Sequence, residues 1–259
     1  MINLINEVNE MYDIKQVPSK NRSSRGKSIP IGIVNHITAG SLKSVDSWFT
    51  SKDNDNSSAH FCIGRNGEIH QYVDIRERAW HAGLTKEAVP HATHPLIKRY
   101  KTINPNAYTI GIEHEGYKDN GEDGTLTEEQ FWASVWLHRF IRDQVIEIYG
   151  RYIELNETNV MGHFEVDPRR KPNCPGKNFP FERLFKELAF AQKCTMKELE
   201  MRISYKKSDD NALEIANAIL FRVNDLRNKV MLPGRWKEVA SEKLAKIEKF
   251  MVDEKLMNG

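Results

Sequence analysis

The chain has 259 residues, with 38 Lys+Arg against 36 Asp+Glu, a formal net charge of +2, 39% hydrophobic residues and three cysteines. This length accommodates one large domain, or a domain of about 150–190 residues with a smaller appendage. The near-neutral balance excludes a broad basic field that would steer the chain onto nucleic acid. No apolar run approaches the roughly 18 residues needed to cross a bilayer as a helix, so a soluble protein is expected.

Residues 1–28 read as a polar leader. MINLINEVNEMYDIK has no basic start and is broken by Asn3, Asn6, Glu7, Asn9 and Glu10, so no ordinary secretion signal is read there. The aperiodic stretch SKNRSSRGKS that follows is expected to run over the surface. Order is expected from Ile29. IPIGIVNHI is a β-branched run bounded by Pro30 and a Thr38-Ala39-Gly40-Ser41 turn, which predicts a largely buried strand with His36 near its end. In SVDSWFTS, Val45, Trp48 and Phe49 have helical spacing, with Ser44 as the expected N-cap. AHFCIGRNGEIHQYVD carries Asn66-Gly67 between two apolar runs, the strongest short-range hairpin signal.

Residues 85–107 are rich in Pro, His and Thr with weak periodicity, and predict a long surface excursion of the kind that is usually functional. YTIGIEHEG predicts a second central strand with Glu113 near its end. Thr127-Glu128-Glu129-Gln130 then opens a helix through Phe131, Val135, Leu137, Phe140, Ile141, Val145 and Ile148, which Gly150 stops. A strand-like VMGHFEVDP and a helix over about 181–192 complete a domain at 29–192. Residues 193–259 change character, with two helical patterns flanking Leu232-Pro233-Gly234, and predict a small α-helical C-terminal domain.

Three residues stand out for chemistry. His36 ends a buried strand, His163 follows Gly162, and Cys174 lies in KPNCPG. A thiolate with two imidazoles suits Zn²⁺, and three protein ligands leave a fourth tetrahedral position open for water, the pattern of a catalytic site. A hydrogen-bonded, partly buried histidine is the ordinary alternative for each ring. With one thiolate on a metal, the odd cysteine count needs no disulfide framework and fits a reducing compartment.

Five motifs occur in order: IVNHITAG, SSAHFCIGRNGEIHQYV, RAWHAG, TIGIEHEG and GHFEVDPRRKPNCPG. Over residues 31–185 the chain resembles the zinc-dependent N-acetylmuramoyl-L-alanine amidases of the type-2 amidase and peptidoglycan-recognition superfamily, which includes many phage endolysins. The resemblance implies an α/β fold with a central mixed β-sheet flanked by helices and a zinc groove at one side. It implies His36, His163 and Cys174 as metal ligands, with Cys174 where many relatives have Asp. Glu113 matches the acid that deprotonates the water, and Lys171 a basic residue that stabilises the oxyanion. Lys171 stands three positions ahead of Cys174, where the commoner pattern places it two ahead, so Arg170 is also weighed, for the substrate's carboxylates. His81 in WHAG matches a position near the substrate groove and is expected to contact substrate. Ala59 stands where some members carry a tyrosine, which concentrates the acid-base role on Glu113.

The other candidates have plainer readings. Glu115 is read as a solvated or hydrogen-bonded carboxylate, Trp80 as packing, His60 and His70 as structural or ligand-orienting groups, and Cys62 as a small core hydrophobe. His91, His94, His114 and His138 carry no assigned role.

The implied activity is hydrolysis of the bond between the lactyl group of N-acetylmuramic acid and L-alanine in bacterial peptidoglycan. A non-catalytic peptidoglycan-binding protein is the alternative from another class, and retention of all three ligands argues against it. A cytosolic amidase that recycles soluble muropeptides is the alternative within the enzyme class. The tail and Cys174 favour an endolysin, made in the cytoplasm without a signal and released to the wall by another agent. GRWKEVASEKLAKIEKFMVDEKLMNG is similar to a helical motif at the ends of some endolysins, so the C-terminal helices are expected to bind other wall polymers, mediate self-association, or pack on the catalytic domain. No nucleic-acid partner or membrane span is expected, and the oligomeric state is open.

Overall fold

The run Ile33-Val34-Asn35-His36-Ile37 becomes strand β3 (Gly32–Ile37, in the numbering used below), buried at every residue as a strand covered on both faces must be. A computed structural model describes residues 12–85, 87–117 and 121–191 of the chain. The expected C-terminal helical domain lies outside the described residues. Among them, no helix is long and apolar enough to cross a membrane.

β3 pairs in parallel with β7 (Thr109–His114) on one side and β8 (Val160–Gly162) on the other. Beyond β7 lies β4 (Phe61–Ile63), also parallel, and the chain returns antiparallel through β5 (Ile69–Gln71). The expected hairpin is therefore present, with Gly67 at φ +80°, a left-handed value that a glycine adopts without strain. β1 (Ile14–Gln16) adds in parallel to β5 and completes a six-stranded sheet of order β1-β5-β4-β7-β3-β8. Its one antiparallel junction makes it the expected mixed sheet. A separate antiparallel pair joins β2 (Arg22–Ser24) to β6 (Glu77–Ala79).

Helices cover both faces. α1 (Leu42–Thr50) buries Leu42, Val45 and Phe49 against Cys62, Tyr72 and Val73. Its N-cap is Ser41 rather than the expected Ser44: the Ser41 hydroxyl accepts from the Ser44 N–H at 3.2 Å, and Ser44 lies within the first turn. On the opposite face, α3 (Glu128–Tyr149) spans the predicted helix, with the Thr127 side chain accepting from the Gln130 N–H and Gly150 in the left-handed conformation at φ +63°. Two short helices, α2 (Pro95–Arg99) and α4 (His163–Val166), and α5 (Phe181–Ala191) complete the set among the described residues. The Arg139 guanidinium on α3 donates to the Glu187 carbonyl of α5 at 2.9 Å.

Two further expectations need correction. The excursion at residues 85–107 is not merely superficial: Ala92, Leu96 and Ile97 enter a core cluster with Val34, Tyr108 and Met161. Short 3-10 turns and α2 interrupt its periodicity, so no single repeat marks it.

Residues 12–28, the described part of the segment read as a surface leader, instead supply β1, β2 and the buried Arg25. The Arg25 guanidinium donates to the carbonyls of Ile75 (2.8 Å), Asn106 (3.1 Å), Ala107 (2.9 Å) and Thr109 (3.2 Å) and lies 2.6 Å from His60 Nε2. Burial draws its pKa down to about 10, which leaves it charged at neutral pH. This anchorage is polar and long-range, so apolar periodicity could not reveal it.

Arg25→Met fills similar volume but leaves these buried carbonyls without their donor. A loss of at least about 3 kcal/mol of unfolding free energy is expected from urea denaturation; an unchanged midpoint would show that the segment is not anchored this way.

Candidate active site

Side chains alternate along a strand, so Val34 and His36 on β3 share a face with Gly111 and Glu113 on β7. The β3–β7 register sets His36 directly opposite Glu113. On the other flank Asn35 pairs with Gly162, and His163 follows at the mouth of the sheet beside His36. These positions lie at the carboxyl ends of parallel strands, where open α/β sheets place their ligands.

β8 stops at Gly162 because the chain turns directly into α4. The Gly162 N–H donates to Glu165 Oε2 at 2.9 Å, and a Cβ at 162 would run into the Phe164 ring. The Phe164 N–H donates to the Cys174 carbonyl at 2.8 Å, which folds the following loop back over the site. Within that loop the Lys171 N–H donates to the Asp167 carbonyl and the Cys174 N–H to the Lys171 carbonyl.

The structure thus brings His36, His163 and Cys174 together, all buried, with ligand atoms within 4.8 Å of one another. His36 Nδ1 lies 2.9 Å from His163 Nδ1 and 4.0 Å from Cys174 Sγ. Burial, reinforced by neighbouring His163 and His81, holds the His36 pKa well below its ordinary value. Burial and then Lys171 lower that of His163 to about 4. Both rings are neutral at physiological pH and have a lone pair to offer. Two imidazole nitrogens and one sulfur are a donor set that fits zinc with one coordination position left free.

Glu113 is partly buried beside them. Desolvation raises its pKa from 4.5 to about 7 against the opposing charge of Lys171, and its Oε2 has no hydrogen-bond partner among the described residues. A groove of about 680 Å³ opens on the cluster, lined by Glu113, Lys171 and Arg170 and walled by Trp48 and Trp80. Trp48 is 46% exposed there, its indole N–H donating to Ser57 Oγ at 2.9 Å. Lys171 is exposed, and its charge acts on Glu113, His36 and His163. Arg170 is held at the rim by an ion pair with the buried Asp167 and by donation to the Gly83 carbonyl at 2.8 Å. His81 lies inside the wall, 3.0 Å from His36 Nε2 and 3.3 Å from Thr109 Oγ1.

The remaining histidines hold structure. His60 Nδ1 accepts from the Gly111 N–H at 3.0 Å, and His70 sits between Asp46 and Glu68, each 2.8 Å away. His114 and His138 serve the reverse face, where both contact Ser134 on α3. His94 caps α2, and His91 ends a 3-10 turn. Glu115 accepts from the Arg65 N–H at 3.0 Å and does not line the groove. Burial pushes the Cys62 thiol up, so it remains a neutral core group. Sequence reasoning passed over Trp48, Asn106, Thr109 and Asp167. Only Trp48 carried a signal, as an aromatic on a helix next to a ligand-bearing strand.

Sheet, helices and groove together define an α/β protein with a His/His/Cys cluster at the carboxyl edge of its sheet. A family model described as N-acetylmuramoyl-L-alanine amidase matches residues 26–177, and the chain belongs to that family. It is 32% identical over 126 residues to the 1,6-anhydro-N-acetylmuramyl-L-alanine amidase AmpD of Haemophilus influenzae, covering 49% of this chain and 55% of that protein. Against AmpD of Escherichia coli it is 31% identical over 126 residues, with coverage of 49% and 55%. The chain thus spans about half the length of the curated relatives it matches. Among solved structures, a selenomethionine derivative of AmpD is similar at 26% identity and a TM-score of 0.48, covering 68% of this chain and 93% of that one. The N-acetylmuramoyl-L-alanine amidase LysC from Clostridium intestinale is similar at 20% identity and 0.46, covering 68% and 97%.

The purified chain is expected to take up one zinc ion, and at a free concentration 100-fold above Kd the ion should add about 2.7 kcal/mol of stability. Cys174→Ala and His163→Ala should each lose most of that gain in a thermal shift titration. Equal gains in all three proteins would exclude this cluster as the site.

Proposed function

We propose that the chain is a zinc-dependent hydrolase of the amide bond joining the lactyl group of N-acetylmuramic acid to L-alanine in bacterial peptidoglycan. The observation that carries this reading is the buried His36, His163 and Cys174 cluster beside Glu113, whose Oε2 has no hydrogen-bond partner among the described residues, at the mouth of a groove in a member of this family. The three ligands would hold one ion, which when bound supplies Lewis acidity and a water made acidic enough to ionise near neutral pH.

The residues of the chain do the rest. Glu113 takes the attacking water's proton at its carboxylate and passes it to the departing amine. A pKa of about 7 suits a group that must act as base and then as acid at neutral pH. Lys171 brings positive charge to the groove where the carbonyl oxygen becomes negative, a contribution of about 2.7–4 kcal/mol when such a donor is well placed. Arg170, fixed by Asp167, faces the substrate's carboxylates. Trp48 and Trp80 form the wall against which the substrate lies.

In biological setting the proposal is an endolysin acting on intact wall, supported by the endolysin-like motif in residues 193–259, which lie outside the described residues. A second reading, a recycling amidase for soluble anhydro-muropeptides, is favoured by the identity to the AmpD proteins. Intact sacculi and soluble muropeptides, offered separately to the enzyme, decide between them by relative kcat/KM.

Digestion of peptidoglycan is expected to release new N-terminal alanine without new reducing sugars, and to stop with a chelator. Glu113→Gln should lower kcat about 10²–10⁴-fold; full activity in that variant would sink the mechanism. The same variant carries a stability signature. Because the folded-state pKa of Glu113 is raised from 4.5 to about 7, the buried carboxylate costs stability that grows as pH rises through that window. The metal-free Glu113→Gln protein should therefore melt above wild type at pH 8 and close to it at pH 4.

A further inference from the structure

We infer that His81 is a positioning residue that fixes the tautomer of His36, through a hydrogen-bonded chain ending on the Pro105 carbonyl, rather than a group that contacts substrate. The inference rests on the reading of His36 as a metal ligand.

The direction of each bond follows from counting hydrogens. Thr109 Oγ1 lies 2.7 Å from the Pro105 carbonyl oxygen. Two oxygens approach this closely only with a hydrogen between them, and the carbonyl has none, so the Thr109 hydroxyl donates there. Its oxygen is left as an acceptor, and the ring nitrogen 3.3 Å away, His81 Nε2, must carry the hydrogen that fills it. In a neutral imidazole the other nitrogen is then bare. His81 Nδ1 consequently accepts from His36 Nε2 at 3.0 Å. His36 keeps its hydrogen on Nε2 and presents the Nδ1 lone pair toward His163 and Cys174.

His81 is built into this place. Its backbone N–H donates to Asn106 Oδ1 at 3.1 Å, and the same oxygen receives the Ala82 N–H at 2.6 Å. Its ring lies over Gly111, where any Cβ would overlap it, and meets the His36 ring edge-on, with centroids 5.2 Å apart at 89°. Thr109 and Gly111 both belong to β7, so the strand that carries Glu113 also sets the protonation pattern of the first ligand. Both His81 nitrogens are occupied by protein, which leaves neither for substrate.

Two readouts test this, and neither depends on hydrolysis. In the metal-free wild type, nitrogen-15 NMR of the histidine rings is expected to show His36 protonated at Nε2. Zinc affinity, measured by chelator competition, should fall about 10–100-fold in His81→Leu. His81→Gln, whose carbonyl can accept from His36, should recover part of the loss. Because His81→Leu disturbs packing as well, Thr109→Val is the sharper variant: nearly isosteric, it removes only the hydroxyl that accepts from His81 and donates to the Pro105 carbonyl. It should weaken zinc binding about tenfold, and Thr109→Ser should restore it. His36 protonated at Nδ1 in wild type, or Thr109→Val binding zinc as tightly as wild type, overturns the inference. Failure of wild type to bind zinc while His36 shows the Nε2 form would instead overturn the ligand reading, because the NMR signature needs no metal.

Discussion

The site depends on one register. β3 and β7 run parallel with His36 opposite Glu113, and β8 is set against β3 so that His163 emerges beside them. Side chains alternate with a period of two, so a slip of one residue in either pairing would turn a ligand or the carboxylate to the far face. What prevents the slip is the burial of both faces. Ile33 and Ile112 need the apolar layer under α3, Val34 needs the cluster with Tyr108 and Met161, and a shifted strand would exchange these environments. The polar network on the reverse face reinforces the alignment. His114 lies 3.0 Å from the His36 carbonyl and 2.9 Å from Ser134, which ties the strand ends to the long helix.

Burial also sets the chemistry. Desolvation acts in opposite directions on the two kinds of titratable group gathered here: it keeps the imidazoles neutral and raises the carboxyl of Glu113 toward neutrality. The same dry environment yields nitrogen donors with free lone pairs and a carboxyl able to exchange a proton near pH 7. Lys171 remains at the open side, where solvent supports its charge and the developing negative charge of a substrate would lie.

Much of this was legible in the sequence. β3, the Asn66-Gly67 hairpin, β7, and the cap-to-cap extent of α3 follow from β-branched runs and local punctuation, which are short-range signals. The grouping of His36, His163 and Cys174 was legible through its motifs, because chemistry restricts residue type as well as position. The N-terminal strands, the ordered interior of residues 85–107 and the roles of Thr109 and Asn106 were not. Each depends on a polar partner far along the chain: Arg25 on carbonyls up to Thr109, Asn106 on the N–H groups of His81 and Ala82. Periodicity records which face is apolar, and it has no means of recording a hydrogen bond between residues 84 positions apart.

The anchorage of Arg25 has a further consequence, for the order in which the molecule can assemble. β1 leaves the ribosome before its partner β5, which ends at Gln71, and the last carbonyl that Arg25 binds belongs to Thr109. Arg25 must therefore wait while the hairpin and the excursion are synthesised, and its anchorage closes only when β7 emerges. β7 also carries Glu113 and the hydroxyl beneath His81, and closure of the N-terminal edge comes before completion of the site, which waits for His163 and Cys174.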